Sequence, residues 1–297
     1  MTDTMRTTRM TQMTQETQRT GAVDMLSTLR AIPGLRRAWP GKRDSDPASV
    51  SIECVDDQGR LRAGHVTVGG APDLLPYAGD PALPALSTQL TGRLVVHRAG
   101  RRAVVTEASR VRKIVRPHKA ASLVRAHATA ASVLRVTDLR TPRILGNGDD
   151  VVDLELLPGR SLDELGDAGL PGWRRLTDSW SRLGEREADL PVHGPRQEAE
   201  VLRRWLASAH RYGVIDQQVV DTCLSLTEAS GMHVITHRDL HDGQLLWDGT
   251  DLSLLDLDTA AMAEAALDLG NLWAHADLMA VRGRIGPEAH VRVRGLL

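Results

Sequence analysis

Two short stretches of this chain place chemically capable side chains at close spacing. The first is Ile235-Thr236-His237-Arg238-Asp239-Leu240-His241-Asp242-Gly243-Gln244-Leu245-Leu246, and the second is Leu255-Asp256-Leu257-Asp258. An apolar strand end delivers a polar loop, and a later strand end delivers two more carboxylates. Side chains that alternate along an extended segment point the same way. His237, Asp239 and His241, with Asp242, could on that ground serve as the metal ligands of a hydrolase. No matching His/Asp group elsewhere in the sequence completes such a site.

These loops need elements to hold them. Val50, Ile52 and Cys54 alternate, Asp56-Asp57-Gln58-Gly59 makes a turn, and Leu61 to Val68 returns, which predicts a hairpin. Four prolines within residues 69–86 (Pro72, Pro76, Pro81, Pro84) predict a loop. Leu94-Val95-Val96 and Ala103-Val104-Val105 flank a turn at Ala99-Gly100, and Val111 to Val115 predicts a third strand. His118 to Leu134 is Ala-rich and reads as a helix, and Val151 to Leu157 as a strand stopped by Pro158-Gly159. Beyond it the apolar period turns helical: Trp173, Leu176, Trp180 and Leu183, then Val201, Leu202, Trp205 and Leu206, each on one face with Trp as core. Asp216 is a candidate N-cap for a helix through Val219 and Leu226 that stops at Gly231. Short strands return at Val234-Ile235, Leu245-Trp247 and Leu252-Leu255, and a helix follows over 266–280. At the N-terminus, residues 1–20 hold eight Thr, four Met and three Gln and cannot bury enough to order themselves. A short helix is expected over 22–38, ended by Pro33-Gly34, then a polar linker over 40–49.

Composition narrows the function classes. The chain has 297 residues and a net charge of -1, so a globally basic nucleic-acid binder and an acidic tail protein are both disfavoured. Phe is absent and aromatics are 3%, so aliphatics and six Trp must fill the core. Cys54 and Cys223 form no metal-type pair, and a reduced, cytoplasmic protein is the expectation. No apolar run is long enough for a membrane helix, and no signal peptide is expected. The 37 basic residues are 34 Arg and 3 Lys, which makes Lys113, inside a strand, stand out. Residues 91–125 carry ten Lys/Arg and one acid, whereas residues 145–272 carry 24 acids and 10 Arg. A cleft with one wall for a polyanion and the other for a cation would have this pattern, and so would two solvated surfaces.

The segment HRDLHDGQ followed by LLDLD resembles the catalytic segment of the aminoglycoside phosphotransferase and choline kinase superfamily. The family pattern is His-x-Asp-Leu-His-x-Gly-Asn, a short hairpin, then Ile-Asp-aromatic. The 17 residues from Asp239 to Asp256 suit it, and Asp268-Leu269-Gly270-Asn271 looks like the family's Asp-Leu-Ala segment. The resemblance implies an α+β, bilobal, protein-kinase-like fold with a small β-rich N-lobe and a larger, mainly helical C-lobe. It implies transfer of the γ-phosphoryl of Mg-ATP to a hydroxyl of a small molecule, most readily an aminoglycoside-like amino- and hydroxyl-bearing acceptor. Such a transfer needs in-line positioning and neutralised charge more than covalent help.

By the same resemblance Asp239 accepts the hydroxyl proton, while Asp256 and Gln244 bind Mg2+, a hard ion suited to oxygen ligands. Gln244 stands where the family has Asn; the added methylene moves its carbonyl by roughly one bond length, about 1.5 Å. His237 buttresses the loop. Lys113 sits where the family's third strand carries its phosphate lysine, and His127 occupies the place of that lysine's acidic partner. Gly100 marks the turn His97-Arg98-Ala99-Gly100-Arg101-Arg102 that would cover the triphosphate. The backbone from Glu155 to Leu157 would meet adenine. Asp163, Glu164, Asp167 and Asp178 are candidates for a cationic acceptor. The expected domains are a weakly ordered extension over 1–45, a nucleotide-binding N-lobe over 46–157 and a helical C-lobe over 158–297. The chain ends 29 residues after Asp268, where relatives usually continue, so a truncated C-lobe is expected. Gln244 and His127 also fit an alternative, a degenerate kinase that binds nucleotide without efficient turnover. A protein kinase is a third reading, against which stands the missing Ala-Pro-Glu segment.

Overall fold

A computed structural model of the chain describes residues 25–41, 49–88, 90–183, 187–225 and 233–297. The expectations for residues 1–24, for residues 42–48 of the linker over 40–49 and for the helix stop at Gly231 lie outside them. In chain order the first elements are α1 (including residues 25–30), β1 (Leu35–Pro40), β2 (Ser49–Val55), β3 (Leu61–Thr67), β4 (Asp73–Leu74) and α2 (Pro84–Thr88). Then come β5 (Arg93–Arg98), β6 (Arg102–Thr106), β7 (Arg110–Val115), α3 (Ala120–Leu134), β8 (Ile144–Asn147) and β9 (Val151–Glu155). The later part holds β10 (Arg160–Ser161), α4 (Leu162–Leu165), α5 (Leu170–Trp180), β11 (Val192–His193), α6 (Pro195–Arg211) and α7 (Gln217–Ser225). It closes with β12 (His233–Thr236), β13 (Leu245–Trp247), β14 (Leu252–Leu254), β15 (Ala261–Glu264), α8 (Ala266–Val281) and α9 (Pro287–Leu296). The order is thus β-rich first and mainly helical afterwards. Among the described residues no helix is long and apolar enough to cross a membrane.

The described residues fall into two compact units. The first draws on the described residues up to Thr106, on Lys113–Arg116 and on those from Glu198 to Ser225; the second on Glu107–Arg112, the described residues from Pro117 to Gln197 and those from His233 to Leu297. In the first unit β1, β2, β3 and β4 form one sheet in that order. The expected hairpin is its centre, with Val50 opposite Val66 and Ile52 opposite Gly64. Its turn is closed by Asp56, whose carboxylate accepts from Gln58 N and Arg60 N. Val50, Ile52, Cys54 and Val66 pack with Met25 and Ile32. The structure departs from the expected helix over 22–38: after Pro33-Gly34 the chain continues as β1, because pairing with β2 satisfies its backbone. The Pro-rich segment read as loop likewise contains β4 and α2. In α6, Leu206 is buried, but Trp205 is 54% exposed and is not the core residue its spacing predicts. The helix needs only one narrow stripe, and Trp205 lies beside it.

In the second unit β8 pairs with β9, β13 stands between β10 and β14, and β15 between β11 and β12. The small sheets pack on α5 and α8 through Trp173, Leu176, Leu240, Leu245, Leu252, Leu254 and Leu272, all of them nearly or wholly buried. Burying one such side chain contributes about 2 kcal/mol. Leu240 lies between Asp239 and His241, so this core anchors the polar loop directly. The N-cap expected at Asp216 is present: its carboxylate accepts from Val219 N at 2.9 Å.

Candidate active site

The polar loop leaves β12, which is held antiparallel to β15 with Ile235 opposite Met262 and Thr236 opposite Ala261. His237, 2% exposed, is the first loop residue. Its ring Nε2 lies 2.7 Å from Leu255 O, and its Nδ1 accepts from Asp239 N at 3.3 Å. A carbonyl only accepts and a backbone N–H only donates, so the ring is the Nε2–H tautomer. One imidazole thus ties the Asp239 backbone to the residue before Asp256. Thr259 Oγ1 donates to His237 O at 2.9 Å and closes the loop from the second stretch.

Asp268 of α8 grips the loop from below. Its two oxygens accept from His237 N at 2.6 Å and Arg238 N at 2.8 Å. Burial pushes its carboxyl pKa up, against the pull of those two donors and the charges beside it. Arg238 has φ +67°, a left-handed conformation costing a non-glycine residue about 1–3 kcal/mol, so it must be held. Asn271 Nδ2, 3.4 Å from Arg238 O, adds to the hold. With the backbone fixed in this way, Asp239 is left with an exposed side chain.

Asp256 is also left-handed, with φ 58° and ψ 53°. Leu255 N donates to Gln244 O at 2.9 Å, which draws the two stretches together, and Gln244 Nε2 lies 3.4 Å from Asp256 Oδ2. Turning the Gln244 amide over would put its carbonyl oxygen in the same place. A carboxylate and an amide oxygen side by side are donors a hard divalent cation accepts. Asp258 is half-buried in the short turn that follows.

His241 is tied into the loop's own backbone. It is extended, its Nδ1 accepts from Gly243 N at 3.0 Å, and a Cβ on Gly243 would approach its Cε1 to 2.8 Å. Burial, and then the neighbouring His275, pull its pKa down. The buried Asp242 meets His275 Nδ1 at 2.7 Å, and His275 stacks on His241 with centroids 4.7 Å apart and planes 19° apart. Burial would raise the Asp242 pKa, but the His275 hydrogen bond and charge outweigh it and hold it below the carboxylate range. His275 is thus a partner for His241 and Asp242 that the sequence did not reveal, and ligand atoms of the three lie within 4.8 Å of one another. Near-parallel stacked rings cannot both aim a lone pair at one ion, so the geometry is that of a hydrogen-bonded array.

The other expected residues lie as follows. Gly100 has φ +65° at the β5–β6 turn, and Lys113 is half-buried in β7; both belong to the first unit. Asp239, Gln244, Asp256, Glu155 and Leu157 belong to the second. His127, on α3, is buried with Nε2 2.7 Å from Pro142 O, fastening its helix to the segment before β8. The Glu155 carboxylate pairs with Arg143 at 2.9 Å, and its N–H bonds Arg143 O. Leu156 N bonds Ser109 O at 3.3 Å, whereas the next residue, the buried Leu157, has an N–H without a partner among the described residues. Of the candidate acceptor residues, Asp167 is engaged with Gly286 N at 2.7 Å and Asp163 lies 3.9 Å from Arg284. In the sequence Asp268 and Asn271 stand out only by family likeness, and His275 by nothing local. An acid inside the apolar run Ala265-Ala266-Leu267-Asp268-Leu269 is the signal for the first.

Residues 94–292 match the phosphotransferase enzyme family, and the chain belongs to it. It is an enzyme of that family, with a mixed α/β, kinase-like fold. Among solved structures it is similar to an aminoglycoside-3'-phosphotransferase of type VIII, at 16% identity over 74% of this chain and 91% of that one, with a TM-score of 0.50. It is also similar to the aminoglycoside phosphotransferase APH(3'')-Id of Streptomyces rimosus, at 19% identity over 72% and 96%, with a TM-score of 0.48. A choline/ethanolamine kinase family protein of Mesorhizobium loti shares 16% identity over 72% of each chain, with a TM-score of 0.46. No curated protein sequence matches the chain.

Proposed function

We propose that this chain transfers the γ-phosphoryl of Mg-ATP to a hydroxyl of a small amino- and hydroxyl-bearing molecule in the cytoplasm. The observation that carries this reading is the His237 ring, which bonds Asp239 N and Leu255 O at once and so sets two carboxylates on one scaffold. Asp239, exposed at the loop tip, takes the proton from the attacking hydroxyl. Asp256 and Gln244 hold Mg2+, which when bound neutralises the nucleotide's phosphate charge. Lys113 steadies the phosphates, and the β5–β6 turn at Gly100 covers them. The Glu155–Leu157 backbone meets adenine, with the Leu157 N–H as its donor. In domain terms, residues 46–157 are the nucleotide-binding part and 158–297 carry the catalytic and metal loops.

ADP release with Mg-ATP across amino sugars, aminocyclitols, peptide antibiotics and choline-like alcohols tests the proposal. Turnover with at least one acceptor, abolished in Asp239→Asn, is expected. A second reading, nucleotide binding without turnover, draws on Gln244 standing where the resembled family has Asn, with one more methylene between its amide and the backbone. Under it no acceptor releases ADP, and Asp239→Asn changes nothing.

A further inference from the structure

The family match begins at residue 94, so the sheet and turns before it lie outside the part of the chain that the family covers. Those upstream residues reach into the β5–β6 hairpin through two buried carboxylates. Asp80, 7% exposed, follows the Pro-rich stretch; its Oδ2 accepts from Gly100 N at 2.8 Å and lies 3.1 Å from His97 Nε2. Its other oxygen accepts from Ala82 N at 2.9 Å, so the carboxylate is held at both ends. Glu53, on β2 and wholly buried, accepts from His97 N at 2.8 Å. His97 itself is 1% exposed. Hydrogen bonds to an ionised acceptor are about twice as strong as neutral ones, and a buried carboxylate without donors is costly. The turn is therefore pinned from inside, at residues 97 and 100, by groups 17 to 44 residues upstream.

This pinning decides what the turn can offer an anion. The Gly100 N–H is already committed to the Asp80 carboxylate, so the turn does not offer that amide to an anion. What the turn offers an anion is its arginine side chains, Arg98 and Arg101 among them. Arg101 and Arg102 are exposed, while Arg98 is half-buried with its guanidinium 5.2 Å from the Trp39 ring. Trp39 is on β1, so the upstream sheet also sets the direction of Arg98.

We propose that Asp80 is a positioning residue for nucleotide phosphate, locking the β5–β6 turn so that its arginines, rather than its glycine amide, meet the polyphosphate. The inference rests on the nucleotide-binding reading above. It is tested by measuring the dissociation constants of Mg-ATP and of adenosine for the full chain, for Asp80→Ala and for Asp80→Asn. Adenosine lacks the phosphates and reports the rest of the site. Asp80→Ala is expected to weaken Mg-ATP by about tenfold while adenosine stays within about twofold. Asp80→Asn, which keeps an acceptor oxygen for Gly100 N, should fall between, and it decides the matter if the alanine variant does not fold. Hydrogen exchange of the hairpin amides should quicken in Asp80→Ala without any nucleotide. Unchanged Mg-ATP affinity, or equal losses for Mg-ATP and adenosine, would overturn the proposal while leaving the phosphotransferase reading intact. A wild-type chain that binds neither compound would overturn both.

Discussion

Asp268 and His237 do different work within one loop. His237 links the two chemical stretches, while Asp268 satisfies the two backbone donors that the left-handed Arg238 leaves pointing into the core. An unsatisfied buried donor costs about 1–3 kcal/mol, so Asp268→Ala should destabilise the protein by roughly 2–5 kcal/mol in denaturant titrations. A displacement of the Asp239 carboxylate by about 1 Å should lower turnover about a hundredfold in ADP-release assays. Asp268→Asn keeps an acceptor oxygen and should lose less of both. Equal losses for the two variants would mean that charge, not hydrogen bonding, holds the loop.

At the scale of elements, α8 acts as the template for the catalytic loop. Asp268, Asn271 and His275 fall at i, i+3 and i+7, so the helix puts them on one face, and each meets the stretch from His237 to Asp242. The Asp-Leu-Gly-Asn run is readable because it lies at a fixed offset in one chain segment. His275 is not, because its partner Asp242 is 33 residues earlier and no local pattern marks the pair. His275→Ala leaves a buried carboxylate without its donor. We expect a loss of about 1–3 kcal/mol in urea unfolding, and a smaller loss of turnover than in Asp268→Ala, because the Asp239 backbone keeps its own bonds. The same contrast of local and distant partners explains α6: its period was legible, while the exposure of Trp205 depended on what packed beside it.

For the molecule as a whole, stability in acid depends on carboxylates that are paired only after folding. In the second unit Asp153 on β9 receives Arg112 through two bonds of 2.7 and 2.9 Å, with Arg110 at 3.3 Å. The Arg112 bond, working against partial burial, holds the Asp153 carboxyl below its ordinary 3.8. A carboxyl whose folded pKa is depressed binds its proton more readily when unfolded. Its stabilisation is therefore complete above pH 3.8 and is lost as the pH falls through the lower folded value. Asp153→Asn should lower stability near neutral pH by about 2–3 kcal/mol, since it leaves the buried Arg112 short of a partner. The difference between wild type and variant should shrink below pH 3.8, as read from denaturation midpoints. A constant difference down to pH 2 would place the loss elsewhere.

The family, the order of strands before helices and the loop that carries Asp239 are legible in the chain without its fold. These rest on short-range periodicity and on residue types a few positions apart, and chain connectivity preserves both. Tertiary structure alone decided that Asp80 and Glu53 reach the β5–β6 turn, that β1 extends the first sheet, and that His275 answers Asp242. Each of these matches a donor with an acceptor far away in the chain, where many pairings satisfy the same local pattern and only the packed core selects one.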